Sequence, residues 1–87
     1  MIQFSVPGHD FIALTAAAFE RSNKKLRGYF SLTVVFHAPE KRKINLVEKG
    51  RKVESLLCGY LYDKTSQIQC YSVRREIGCE KIEVTLT

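Results

Sequence analysis

The sequence predicts an α+β protein, mostly β, in which five to six strands form a small curled antiparallel sheet or an OB-like barrel, with one helix near residues 10–25. Three segments alternate apolar and polar residues with the period of two that is typical of a half-buried strand. One alanine-rich segment lacks that alternation and favours a helix. Because so many short strands in 87 residues must cover one core, we expect the sheet to curl. A sheet with a helix across one face is the alternative architecture.

Three strands follow from alternation alone. Residues 2–6, 29–37 and 81–86 each place every second apolar side chain on one face and mostly polar side chains on the other. Pro7 and Gly8 end the first of these strands. Together with Leu57, these strands supply the predicted core: Phe4, Phe30, Leu32, Val34, Phe36, Leu57, Ile82 and Val84.

The helix is predicted for residues 11–25. Asp10 is a favourable N-cap residue, and four alanines follow it. Arg21, Lys24 and Lys25 would lie in the last turn, where the negative end of the helix dipole favours positive charge. As a strand, the same segment would present no polar face, so the helix is the preferred interpretation, with the strand as the alternative.

The remaining strands are predicted from composition and turns. Residues 53–62 carry apolar side chains on both faces, as a covered central strand does. Residues 67–73 would return antiparallel to it after a loop at 63–66. Residues 43–47 favour a further short strand inside a protruding basic hairpin over residues 40–52.

Length and composition exclude several classes of protein. A chain of 10.0 kDa is expected to form a single domain over residues 1–87. The uncharged stretch at 11–19 is too short to cross a bilayer, and no secretory signal precedes it, so we expect a cytoplasmic protein that does not enter a membrane. Three cysteines without a close pair indicate reduced thiols and no metal, and no motif of a cofactor site or an enzyme is present.

Positive charge is concentrated in one part of the chain. Residues 21–52 contain ten basic and two acidic side chains, a net charge of +8, whereas the whole chain has a net charge of +5. Such a field attracts an anionic partner, although it also describes a merely solvated face. The predicted nucleic-acid contacts in this segment are Arg21, Lys24, Lys25, Arg27, Lys41, Arg42, Lys43, Lys49, Arg51 and Lys52.

Three tyrosines extend this prediction to a stacking surface. On the predicted hairpin, Tyr60, Tyr62 and Tyr71 share one sheet face beside the basic segment. Aromatic rings next to Lys and Arg are typical of proteins that bind single-stranded nucleic acid. The alternative is that these rings are core and rim packing, which the equal parity of Leu56 and Val73 also favours.

Two resemblances define two classes of function. The residues Arg-Ser at 21–22 and Tyr-Phe-Ser-Leu at 29–32 resemble the start of filamentous-phage helix-destabilising proteins, which implies a single-strand binder. Residues 19–22, Leu26, 29–32 and 49–50 also resemble the opening β-segment of phage tail hub and type VI secretion spike proteins. The sequence therefore predicts a small nucleic-acid-binding module or, alternatively, a structural or protein-interaction component such as an inhibitor of another protein. An open edge strand would also let two copies pair as a homodimer.

Overall fold

The computed structural model describes all residues from 1 to 87. Its elements are β1 (Ile2–Pro7), α1 (Phe11–Glu20), β2 (Phe30–Ala38), α2 (Leu46–Leu57), β3 (Ile68–Ile77) and β4 (Lys81–Leu86). Two short 3-10 turns, Ser22–Lys24 and Thr65–Gln67, precede β2 and β3.

The four strands form one mixed sheet in the order β1-β4-β2-β3. Strand β4 is antiparallel to both of its neighbours, whereas β2 and β3 are parallel. A parallel pair needs a long crossover connection, and α2 supplies it. The sheet has four strands, is mixed, and is not closed into a barrel, so the predicted antiparallel sheet or OB-like barrel of five to six strands is not confirmed. The α+β class and the alternative of helices across one face describe the structure.

The predicted core and three predicted strands are confirmed. Each of β1, β2 and β4 lies within a residue of its predicted bounds. All eight predicted core residues are buried, with exposed fractions of at most 6%. Side chains from one face of these strands join Leu14 and Ala18 of α1, and Val53 and Leu57 of α2, in a single hydrophobic cluster. The two helices therefore cover one face of the sheet and leave the other open.

Helix α1 begins where the sequence predicted and ends earlier. The carboxylate of Asp10 accepts hydrogen bonds from the backbone N–H groups of Ile12 and Ala13, so it caps the helix as expected. The helix ends at Glu20 instead of residue 25, because residues 22–24 tighten into a 3-10 turn. The basic side chains expected in its last turn lie beyond the helix.

Three predictions for this part of the chain were wrong. They are the strand at residues 53–62, the short strand at 43–47 and the basic hairpin over 40–52. The chain forms α2 there, with Val53 and Leu57 buried one turn apart. Val53, Leu56 and Leu57 belong to this helix, whereas Tyr60, Leu61 and Tyr62 lie in the turn after it. Asn45 caps this helix by accepting a hydrogen bond of 3.1 Å from the backbone N–H of Glu48. This Asn-x-x-Glu pattern was a helix signal in the sequence.

Candidate binding surfaces

The basic side chains predicted as one binding segment lie at both ends of β2. Residues 21–27 precede this strand of nine residues, which is about 26 Å long, and residues 41–43 follow it. Lys49, Arg51 and Lys52 lie in the first two turns of α2, which starts shortly after residues 41–43. Residues 41–43 are therefore close along the chain to the basic residues of α2, although Arg51 and Lys52 line different grooves on the two sides of that helix. Residues 24–27 lie before the opposite end of β2.

Two basic residues of the 21–27 group are already engaged within the fold. The guanidinium carbon of Arg21 lies 4.7 Å from the centroid of the Phe4 ring, and Arg21 donates a hydrogen bond of 2.9 Å to the carbonyl of Ala17. Lys25 forms an ion pair with Asp63. The hydrogen bond from Lys25 is the largest cause of the lowered pKa of the Asp63 carboxyl. Both side chains therefore make contacts within the fold.

In the 41–52 group, one of six basic residues has an acidic partner. Arg42 forms an ion pair with Glu80 in the turn between β3 and β4. Lys49 contacts a histidine and Lys52 contacts an aromatic ring. The exposed basic residues of the two groups without an ion pair are Lys24, Arg27, Lys41, Lys43, Arg51 and Lys52.

His9 and Lys49 form a hydrogen-bonded pair where β1 ends and α2 begins. Lys49 Nζ donates to His9 Nδ1 over 3.0 Å, and His9 Nε2–H donates to the carbonyl of His37 over 2.9 Å. Burial is the largest cause of the lowered pKa of His9; the His37 carbonyl opposes it, and the positive charges of Lys49 and Arg42 add to it. Burial also lowers the pKa of Lys49, with Arg42 the next cause. Since both nitrogens of the ring are engaged, the pair ties the loop after β1 to α2.

The three tyrosines do not form one aromatic patch, because the hairpin that would have aligned them does not exist. Tyr62 is fully buried, and its hydroxyl donates a hydrogen bond of 2.6 Å to the carbonyl of Glu54 in α2. Tyr71 is 39% exposed and lies on β3, on the side that faces α2. Tyr60 lies in the turn after α2, where its ring meets Phe19 edge-on at 6.2 Å. The core and rim interpretation fits these positions better than a stacking surface does.

The open face of the sheet is mostly polar, apart from the buried Val35, and carries no Phe, Tyr or Trp side chain. Its outward positions at one end are small or uncharged: Gln3, Ser5, Ser31, Thr33, Cys70, Ser72 and Thr85. A face of this kind offers hydrogen-bonding groups and no ring on which a base could stack.

The other end of the open face carries a balanced set of charges. His37 Nε2 and Lys81 Nζ each lie 3.0 Å from Glu83 Oε1, and Arg74 Nε lies 3.1 Å from Glu76 Oε1. The hydrogen bond from Lys81 is the largest cause of the lowered pKa of Glu83. Because its charges pair with one another, this end of the face is not a basic surface.

An apolar groove between α1 and α2 was missed by the sequence analysis. It has a volume of about 600 Å³ and lies on the side of the helices that faces away from the sheet. Ile12 is 83% exposed and Phe19 66% exposed, although both are large apolar residues. The apolar side chains that line the groove are Phe11, Ile12, Ala16, Phe19, Leu56 and Tyr60.

The groove follows from an unusual property of α1, which is apolar on every side. Leu14 and Ala18 face the core, yet no charged residue occurs on the opposite side between Phe11 and Phe19. A surface helix normally carries polar residues on its outer face, and a helix that is apolar all round is normally buried. The sequence already shows this property, because residues 11–19 contain no charged side chain.

A second groove of about 540 Å³ separates α2 from the edge strand β3. Val47, which is 66% exposed, lies at its rim, and Arg51 and Glu54 contribute opposite charges. Tyr71 and Val73 form its strand side.

The structure contains neither a metal-ligand cluster nor a membrane-spanning helix. No group of three His, Cys, Asp or Glu side chains could hold a metal ion. Cys70 and Cys79 are exposed and Cys58 is half-buried, and none of the three is paired. Neither helix has the length and apolar content needed to span a membrane.

Comparison with known proteins does not assign the chain to a family, so the class of protein is defined here by the fold. No protein-family model matches the chain, and no curated protein is significantly similar to it. The fold defines a small α+β protein with two helices on one face of a four-stranded mixed sheet, whose principal exposed feature is the apolar groove between those helices.

Proposed function

We propose that this chain is a small non-enzymatic protein-interaction domain, and that its partner packs into the groove between α1 and α2. The observation that carries the proposal is the exposure of Ile12 and Phe19 on a helix with no polar outer face. Contiguous exposed apolar surface on a small protein is typical of an interaction site.

Burial of the exposed apolar side chains of this groove would favour the binding of a partner. Burying one side chain such as Ile12 or Phe19 contributes about 1.5–3 kcal/mol. Tyr60 and Phe11 add aromatic edges, which are enriched at the centres of protein interfaces. The neighbouring surface is charged, so a partner would meet an apolar centre with a polar rim.

Site-specific photo-crosslinking in the cells that express the protein tests this proposal. A benzophenone amino acid placed at position 19 should give a discrete protein adduct. The same probe at position 77 is the matched control, because Ile77 is 69% exposed but lies on the edge strand β3. Equal adducts at the two positions, or none at position 19, would contradict the proposal.

A second candidate function is binding of a nucleic-acid backbone by residues 41–52. It is supported by the six basic side chains in this segment, against the single acidic residue Glu48, and by their position in the loop before α2 and in its first two turns. Basic side chains at such a surface contact phosphates and leave the base sequence unread.

A salt series separates this candidate from the first. Each phosphate contact to a single strand contributes a slope of about −0.7 in the logarithm of affinity against the logarithm of salt concentration. Replacing Lys41, Lys43 and Arg51 with Glu should weaken oligonucleotide binding for all sequences alike and flatten the slope. The same reversal at Lys24 and Arg27, at the other end of β2, is the matched control. A wild-type protein that shows no salt-sensitive binding at low ionic strength would exclude this candidate.

A further inference from the structure

We infer that the occupant of the groove between α1 and α2 is a second copy of this chain, with the two α1 helices antiparallel across a two-fold axis. This inference rests on the proposed interaction function and names its partner. It requires that the exposed face of α1 be complementary to itself, because a two-fold interface uses the same patch on both copies.

The spacing of side chains along α1 has this self-complementarity. An axis that passes between Thr15 and Ala16 places Ile12 of one copy opposite Phe19 of the other, and places Thr15 opposite Ala16. Large apolar side chains therefore meet at both ends, and small ones meet at the centre, where two helices must approach closely. The hydroxyl of Thr15 already donates to the carbonyl of Phe11 over 2.8 Å, so its burial leaves no unpaired donor.

The charges at the two ends of the groove are complementary in the same arrangement. Lys52 Nζ lies 4.5 Å from the centroid of the Phe11 ring and forms no ion pair. Glu20, at the other end of α1, contacts only its neighbour Arg21, at 3.9 Å, and its side chain is 75% exposed. The same axis places Glu20 of one copy opposite Phe11 of the other, and therefore beside Lys52.

Two features favour a second copy over an anionic or cationic protein as the partner. The face of α1 between Phe11 and Phe19 carries no charge, so two chains of net charge +5 can meet there without direct repulsion. The remaining carboxylate at this end, Asp10, is engaged by the N–H groups of Ile12 and Ala13. Each copy then contributes one Lys52 and one Glu20, and each of these charges meets its opposite.

Sedimentation equilibrium on the purified protein tests the inference. The wild type should sediment as a species of twice its 10.0 kDa mass. Ala16→Glu places a carboxylate beside the axis and should raise the dimer dissociation constant at least about tenfold. Ile77→Glu adds the same charge on β3 and should leave the dimer intact. Because Ala16 is exposed, the Ala16→Glu protein should unfold at the same temperature as wild-type protein that has been diluted until its dimer dissociates.

A charge exchange gives a second, independent readout. Lys52→Glu and Glu20→Lys should each weaken the dimer several-fold, because each replaces two attractive contacts with two repulsive ones. The double variant should restore the wild-type dissociation constant. It has the same net charge as the wild type, so restoration cannot come from a change in overall repulsion.

The failure of this inference differs from the failure of the proposed function. A wild type that stays monomeric up to about 0.5 mM, or a dimer that survives both Ala16→Glu and the single charge variants, would overturn the second copy as the occupant. If such a monomer still gives a position-19 adduct with a different protein, the interaction function stands and its partner is another chain. If it gives no adduct, both proposals are wrong.

Discussion

The hydroxyl of Tyr71 donates a hydrogen bond of 2.7 Å to the carbonyl oxygen of Gly50, which joins β3 to the middle of α2. A Cβ atom at position 50 would lie 3.0 Å from the Tyr71 oxygen and 3.0 Å from Cγ2 of Val73. The helix therefore approaches the strand most closely at its only residue without a side chain. This contact sets how α2 crosses from β2 to β3.

Gly50→Ala should destabilise the protein even though alanine favours a helix. The helix propensity of alanine contributes about 0.8–1 kcal/mol, whereas overpacking against Val73 and the hydrogen-bonded Tyr71 costs about 1–3 kcal/mol. We expect a net loss of about 1 kcal/mol in the free energy of unfolding, measured by urea denaturation. Arg51→Ala, the exposed neighbour, should change it by less than about 0.5 kcal/mol. A more stable Gly50→Ala protein would show that α2 can move away from β3.

Tyr62→Ala should cost stability rather than nucleic-acid binding. The ring is fully buried and packs 5.0 Å from the Phe30 ring, so its removal should lower the free energy of unfolding by about 3–5 kcal/mol. Tyr62→Phe should cost about 1 kcal/mol, because it removes only the hydrogen bond to Glu54. Tyr29→Ala is the control, since Tyr29 is 79% exposed. Equal melting temperatures for Tyr62→Ala and Tyr29→Ala would contradict the buried position.

The free energy of unfolding should fall at alkaline pH, because Tyr71 loses its proton more readily in the unfolded chain than in the folded protein. Burial is the largest cause that raises the pKa of Tyr71, from its ordinary 10.0 to about 12. The folded state therefore holds the phenol proton more tightly than the unfolded state, and the resulting stability is present below pH 10 and is lost as pH rises toward 12. In Tyr71→Phe this part of the loss should disappear. Unfolding in urea at pH 9 and pH 11 compares the two proteins, and equal alkaline losses would contradict the assignment.

His9 should titrate below its ordinary pKa of 6.5, chiefly because it is buried. The neutral ring is the form that the fold favours, so its contribution to stability is present above pH 6.5 and is lost as pH falls through the lowered pKa. Lys49→Met should raise the pKa of His9, since it removes a positive charge at 3.0 Å. Lys41→Met removes an exposed charge and is the control. NMR titration of the imidazole protons measures both effects, and a midpoint above 6.5 in the wild type would contradict the burial of the ring.

Part of the fold could be predicted because it depends on local patterns. Alternation in β1, β2 and β4 identified the core residues, and Asp10 marked the start of α1. The same reasoning failed at residues 53–62, where the chain continues a helix that contains Gly50, a residue of low helix propensity. Its effect on α2 depends on Tyr71 and Val73, which lie 21 and 23 positions further along the chain.

The candidate surfaces also depend partly on the sequence and partly on the tertiary structure. The sequence by itself determined which residues are basic, which are aromatic, and that residues 11–19 carry no charge. Only the tertiary structure decided that the basic residues separate to the two ends of β2, that Tyr62 is buried, and that the apolar outer side of α1 faces solvent. The physical reason is that composition fixes the chemistry of each side chain, whereas its neighbours depend on the crossover of α2 and the insertion of β4 between β1 and β2. These are contacts between residues far apart in the chain, and local periodicity does not encode them.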